Sequence, residues 1–385
     1  MGPTERTFPV KTALHDAWTL RPLEGPLPAD LADLGARSVP ATVPGCVHTD
    51  LLASDLIPDP YLDENERLLE WIGHSSWRYS TTFRAAAAAP GERVDLDFEG
   101  LDTVATVSLN GTVLGSTANM HRSHRFDVRD VLVDGDNELT VDFAAQTDAT
   151  AQASQDLGPR PHVNRHPFNG IRKMACNFGW DWGPELVTAG IWRPVTLHRW
   201  TTVRLAAVRP LVGVEGSTGT VEVHVDVERA AGGRPVRVAA DIAGQDAEAE
   251  VGPDGTAVLR LEVADVSLWW PRGHGEQPLY PLRVRLLADD AELEVWERQV
   301  GFRTVTLDTT PDAAGTPFTF VVNGKPILVR GANWIPDDCF PSRIDRARYE
   351  RSIANATDSG MNLLRVWAAA STRARTSTRS VTGTA

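Results

Sequence analysis

The chain has 385 residues, more than one ordinary hydrophobic core organises, so two or three domains are expected. Its 38 basic and 51 acidic side chains leave a net charge of −13, which excludes the electrostatic footprint of a nucleic-acid or anionic-membrane binder. Apolar residues make up 42%, an ordinary globular share, and no window approaches a membrane span; the departure is tryptophan, with 12 residues.

The opening stretch MGPTERTFPV has neither the basic-then-apolar pattern of a secretion signal nor a myristoylation site. Cys46, Cys176 and Cys339 are too widely spaced for a disulfide framework, so a reducing, cytoplasmic setting is expected. Up to about residue 200 short runs alternate apolar and polar with period two, as at 94–99 and 138–143. In the run 107–113, Asn110-Gly111 predicts a tight hairpin tip. Residues 1–200 therefore read as a β-sandwich. From 201 to 305 the alternation is more regular, with strands at 221–227, 236–238 and 282–286 and a turn at 231–235. This suits an immunoglobulin-like sandwich, without an inter-sheet cysteine pair.

After Arg303 the pattern changes. Residues 318–322 and 327–329 flank Asn323-Gly324 as a second hairpin. Residues 344–358 read as a helix, with Tyr349, Ile353 and Ala356 on one face and Gly360 where a C-terminal cap belongs. Residues 363–367 follow as a buried strand with one Arg. Strand, helix, strand opens a parallel α/β unit, and a complete (β/α)8 barrel needs ~250 residues.

The run NFGWDWGP at 177–184, followed by GIWRP at 190–194, resembles the sugar-binding domain of family 2 glycoside hydrolases, in its β-mannosidase branch. VPGCVH at 43–48 and SWRY at 76–79 fit the same domain. LWWP at 268–271, GEQPLY at 275–280 and VGFR at 300–303 resemble the family's immunoglobulin-like middle domain. NGKP at 323–326, RGANWIP at 330–336 and MNLLRVW at 361–367 resemble the start of its catalytic barrel. The implied fold is mainly β: a jelly-roll-like sugar-binding sandwich over 1–200, an immunoglobulin-like sandwich over 201–305, and the first strand-helix-strand of an incomplete (β/α)8 barrel over 306–367.

Residues 368–385 contain no acid and no aromatic, and no apolar side chain larger than Val381. In the family, the strand ending Arg-Val-Trp runs on as Gly-Gly-Gly-Ile-Tyr-Glu. GC-rich codons for that run, read one base on, give Ala-Ala-Ala-Ser-Thr-Arg, the residues at 368–373. The tail is therefore expected to be a shifted reading frame and disordered, and the chain a truncated form.

The resemblance implies a retaining, exo-acting enzyme that removes terminal β-linked mannose without metal or cofactor. Such chemistry needs two carboxyl groups ~5–5.5 Å apart. The family places both on later barrel strands, beyond Trp367, so no catalytic residue is assigned here and the chain is expected to be inactive. The expected substrate-binding residues are Trp180 and Asp181, an apolar platform beside a hydroxyl acceptor, with Gly183-Pro184 fixing their loop. Trp367 is expected in the floor of the site, and Arg365 and Asn333 at barrel strand ends; an Arg inside a barrel needs a carboxylate partner, so Arg365 either orients a catalytic Glu that this chain lacks or is purely structural. The partner expected is a β-mannoside; no nucleic acid or membrane is. Another family 2 exo-glycosidase (β-galactosidase, β-glucuronidase or exo-β-glucosaminidase) and a stand-alone carbohydrate-binding module remain as alternatives.

Plainer roles are expected elsewhere. Trp182 reads as a core anchor, Trp269 and Trp270 as inter-domain packing, and Trp334 as a weaker pocket candidate. Glu99, Glu185 and Glu276 read as solvated strand and loop charges, and His121 and His124 as loop residues without metal-ligand spacing. Residues 306–367 are expected to leave an open sheet edge and an unpartnered apolar helix face.

Overall fold

The computed structural model describes residues 9–158, 160–230, 235–288 and 291–367. The tail at 368–385 and most of the turn at 231–235 lie outside the described residues. The first unit contains β1 (Val10–Ala13), β2 (Thr19–Pro22), β3 (Val39–Pro40), β4 (Trp77–Ala85), β5 (Arg93–Phe98), β6 (Val104–Leu109), β7 (Thr112–Ala118), β8 (His124–Asp127), β9 (Gly135–Phe143), β10 (Phe178–Trp180), β11 (Gly183–Glu185) and β12 (Val195–Trp200). A six-stranded sheet, β3-β2-β4-β9-β6-β7, faces a four-stranded sheet, β1-β12-β5-β8. Trp77, Tyr79 and Phe143 from one, and Leu96, Phe98 and Leu197 from the other, fill a single core. Period-two patterning is what allows this, because it turns one face of each sheet apolar. Between β6 and β7 the expected hairpin is present, with Asn110 at φ 51° and Gly111 at φ 77°, the left-handed pair a two-residue turn requires.

The second unit follows: β13 (Val203–Glu215), β14 (Thr218–Arg229), β15 (Arg237–Ile242), β16 (Gln245–Glu250), β17 (Thr256–Val263), β18 (Tyr280–Ala288) and β19 (Ala291–Val300). Sheets β13-β14-β17 and β16-β15-β18-β19 enclose a separate core that includes Val223, Val238, Leu259, Val284 and Phe302. Trp269 and Trp270 stand at the edge of this unit: the Asn323 amide donates to the Trp269 carbonyl at 3.0 Å, and Lys325 Nζ lies 5.0 Å from the Trp270 ring.

β20 (Val305–Asp308), β21 (Thr319–Val322) and β22 (Lys325–Ile327) form a small antiparallel sheet, with Asn323-Gly324 again the hairpin turn. β23 (Gly331–Trp334), the helix Arg346–Asp358 (α1 here) and β24 (Leu363–Val366) make one parallel strand-helix-strand unit. Asp345 caps the helix, accepting the Arg348 N–H at 2.8 Å, and Gly360 at φ 75° ends it. Two expectations are corrected. β24 is not buried: among the described residues only β23 pairs with it, and Val366 is 46% exposed. The apolar face of α1 is not unpartnered: Tyr349, Ile353 and Ala356 are buried, and the Tyr349 ring packs edge-on against Trp334 at 6.2 Å. Among the described residues no helix is long and apolar enough to cross a membrane.

Candidate functional site

The connection between β9 and β12 leaves the sheets and carries the tryptophan-rich run as a tight hairpin. β10 and β11 pair Phe178 with Glu185 and Trp180 with Gly183, so Asp181 and Trp182 are the turn residues. The glycine the backbone needs is Gly179, at φ 85°, where an added Cβ would meet Glu185 Cβ at 3.3 Å. Gly183, expected to fix the turn, has open space around it.

Polar groups clamp the hairpin from outside. The Asn164 amide donates to the carbonyls of Phe178 at 3.1 Å and Gly179 at 2.6 Å. The Glu66 carboxylate accepts the Glu185 N–H at 2.7 Å. The Glu185 carboxylate itself accepts from Arg165 at 2.8 Å and lies 2.6 Å from His166 Nε2. Glu185 is thus a half-buried structural acceptor, correcting its reading as a solvated charge; Glu99 and Glu276 are exposed.

Behind the hairpin, Lys173 is anchored in the sandwich. Its fully buried ammonium lies 2.5 and 2.6 Å from the two Asp102 oxygens and 2.8 Å from the Thr188 carbonyl. Burial pulls the Lys173 pKa down, while the Asp102 charge opposes the shift.

Three indoles meet in front. Trp367 lies 5.4 Å from Trp180, nearly perpendicular, and 5.4 Å from Trp182; Trp180 and Trp182 are 6.4 Å apart. Trp180, Trp182 and Trp367 are half-buried, and Asp181 is exposed at the tip with no hydrogen bond to its carboxylate among the described residues. Trp182, expected as a core anchor, packs on the cluster of Met120, Met174, Cys176 and Trp192 and also forms part of this aromatic face.

Arg365 and Asn333 are opposite one another in the β23–β24 register, and Arg365 Nη1 donates to Asn333 Oδ1 at 3.0 Å. The partner is an amide, where the sequence argument asks for a carboxylate, because both side chains are exposed and neither charge burial nor desolvation demands one. Strand alternation puts Arg365 and Trp367 on one side. Trp334 is on the other, packed on α1.

A cavity of about 370 Å³ opens beside Trp182. Tyr61, Trp182 and Pro184 line it from the first unit, and Asp337, Asp338 and Arg343 from the segment after β23. Cys176 and Cys339 also line it; burial pushes the Cys176 thiol up to about 12 and raises Cys339, so neither is a ready nucleophile. The Asp337-Asp338 pair directly follows the recognised NWIP run and was within reach of sequence reasoning; nothing local marks Tyr61. Among the described residues no group of three His, Cys, Asp or Glu side chains could hold a metal ion.

Sequence models of two domains match in order. The glycosyl hydrolase 2 galactose-binding domain-like model covers residues 18–193, and the glycosyl hydrolases family 2 model covers residues 203–303. The chain belongs to glycosyl hydrolase family 2. It corresponds to the N-terminal portion of its relatives. Beta-mannosidase B of Aspergillus clavatus is 35% identical over 346 residues, covering 84% of this chain and 40% of that protein. Its counterpart from Thermothelomyces thermophilus is 36% identical over 340 residues, covering 84% and 39%. The crystal structure of β-D-mannosidase from Dictyoglomus thermophilum superposes with a TM-score of 0.88 at 33% identity, over 97% of this chain and 46% of that one. An exo-chitosanase from Amycolatopsis orientalis shares the fold, with a TM-score of 0.72 at 19% identity over 97% and 42%. The chain therefore spans about 40% of the length of the curated relatives it matches.

Proposed function

We propose that this polypeptide is the substrate-recognition half of a β-mannosidase, a retaining exo-hydrolase of terminal β-D-mannose. The observation that carries the proposal is the convergence of Trp180, Trp182 and Trp367 beside the exposed Asp181 carboxylate, from two units far apart in sequence. Indole faces offer an apolar platform for sugar C–H groups, and a free carboxylate accepts two hydroxyl hydrogen bonds. Arg365 and Asn333 present further polar groups on the same side as Trp367. The relatives named β-mannosidase support the choice of sugar.

In this reading residues 1–200 are the sugar-binding sandwich, 201–305 the immunoglobulin-like spacer, and 306–367 the opening of a (β/α)8 barrel. The acid and the nucleophile belong to later barrel strands, the 385-residue form is inactive, and the enzyme is cytoplasmic. The test compares aryl β-mannoside turnover by the 385-residue chain with that of a product continued in frame past Trp367. Turnover only by the longer product, and faster on mannoside than on galactoside, glucuronide or glucosaminide, is the expected result. Turnover by the 385-residue chain itself, or preference for another sugar, would sink the reading. Micromolar mannoside binding by the 385-residue chain in calorimetry would favour a carbohydrate-binding module instead.

A further inference from the structure

The segment 336–343, which leaves the end of β23, does not stay with its own unit. Phe340 is 1% exposed and belongs to the core of the first sandwich, although the entire second unit separates them in sequence. Its ring lies 5.6 Å from the His48 imidazole and 6.0 Å, edge-on, from Tyr61. The Tyr61 hydroxyl donates to Asp338 Oδ1 at 2.6 Å and accepts the Cys339 N–H at 2.9 Å. Burial raises the Tyr61 pKa, so the hydroxyl keeps the proton it donates. Arg343 closes the set: its Nε is 3.2 Å from Asp338 Oδ2, and its guanidinium lies over the Tyr61 ring at 5.7 Å.

The same segment is tied to the strand-helix-strand unit on its other side. Asp337 Oδ2 accepts from Trp334 Nε1 at 3.0 Å, and Asp337 Oδ1 accepts from Ser352 of α1 at 3.3 Å. The Trp334 carbonyl then accepts the N–H of Trp367 at 3.1 Å. A short bonded path therefore runs from the Phe340 plug to the indole that touches Trp180 and Trp182.

We propose that Phe340, pinned by Tyr61 and Asp338, is the positioning residue that sets Trp367 against the Trp180–Trp182 hairpin. The walls of the candidate site belong to two units with separate sheets, the first sandwich and the strand-helix-strand unit. Their relative placement is the remaining freedom, and domains move against one another unless an apolar contact holds them. A ring from one unit seated in the core of the other removes that freedom. The hydrogen bonds of Tyr61 fix how deep it sits. The bearing of this pin on sugar binding rests on the proposed function; its effect on the indoles does not.

The test uses the 385-residue chain. Indoles in contact couple their transitions and give a couplet in far-ultraviolet circular dichroism; the share due to Trp367 is defined by Trp367→Phe. Phe340→Ala is expected to lose that share while the Trp180–Trp182 share stays, and Phe340→Leu is expected to restore most of it. Tyr61→Phe and Asp338→Asn keep the ring packing and are expected to weaken the Trp367 share alone; they carry the test if Phe340→Ala does not fold. An undiminished couplet in folded Tyr61→Phe and Asp338→Asn, or in folded Phe340→Ala, overturns the proposal. Aryl β-mannoside turnover by the product continued in frame past Trp367 separates the two readings: loss of the couplet in the variants with no mannoside turnover by the longer parent upholds the pin and counts against the sugar site.

Discussion

The two sandwiches use the same alternating code to different ends. In the second, β17 alternates exposed and buried without a break, and its polar face pairs across the surface, as Arg260 does with Glu222 at 2.8 Å. In the first, the code is interrupted between β3 and β4 and again between β9 and β12. Those interruptions carry His48, Tyr61, Lys173 and the tryptophan hairpin, the side chains that meet the third unit or anchor what does. Sheets supply a rigid frame, and recognition collects where the chain departs from them.

The comparison is tested most severely at Lys173. Lys173→Met leaves the Asp102 charge buried without its partner, and a loss of about 3–5 kcal/mol is expected, read as a lower urea midpoint for the first sandwich. The double change Lys173→Met with Asp102→Leu should recover most of it, since well-packed apolar groups often replace a buried pair without loss. A single-variant cost as small as that of a surface pair would mean the anchor does not hold the hairpin loop.

Next in size is a pH effect. Burial pushes the Asp50 carboxyl up to about 7 from its ordinary 3.8, against hydrogen bonds from the Thr42 N–H and the Tyr79 hydroxyl. A raised folded pKa stabilises fully below 3.8, and that contribution is lost as pH rises through about 7. Asp50→Asn does not titrate. Its stability relative to the parent should therefore rise across this window, by about 1.4 kcal/mol per pH unit at most, and level off above it. A pH-independent difference in urea titrations would show that Asp50 is charged in the fold.

Glu185→Gln probes the hairpin clamp. It weakens the hold of Arg165 and His166 while keeping the side-chain shape, and about 1 kcal/mol is expected because the pair with Arg165 is partly exposed. Faster amide exchange in residues 178–185, with the rest of the sandwich unchanged, is the signature. The smallest effect is expected in the second sandwich: Arg260→Ala removes a surface ion pair and should leave the urea midpoint where it was. A clear shift there would erase the contrast between the two sandwiches.

Much of the frame was legible in the sequence because its rules are local. Asn110-Gly111 and Asn323-Gly324 each turned a hairpin, since left-handed backbone is cheap only for such residues. Tyr349, Ile353 and Ala356 declared a helix face by spacing alone, and that face is buried. Trp180, Asp181 and Trp367 were singled out from recognised runs, and the structure places the two indoles in contact. The errors were of another kind. Glu185 reads as a solvated charge from its neighbours alone, because its partners, Arg165 and His166, lie 20 and 19 residues away. The composition of β24 suggests a buried strand, but burial depends on which neighbours pair with it.

By itself, then, the amino-acid order determined the elements, the turns, the family and the residue types able to face a sugar. Each follows from backbone preference, from periodicity, or from a contiguous run that can be recognised in isolation. Only the tertiary structure decided that Phe340 leaves its own unit for the core of the first sandwich, that Tyr61 and Asp338 lock it there, and that Trp182 joins Trp180 and Trp367. Contacts across 277 residues of chain carry no local periodic signature, because they are chosen by shape and desolvation rather than by local backbone preference.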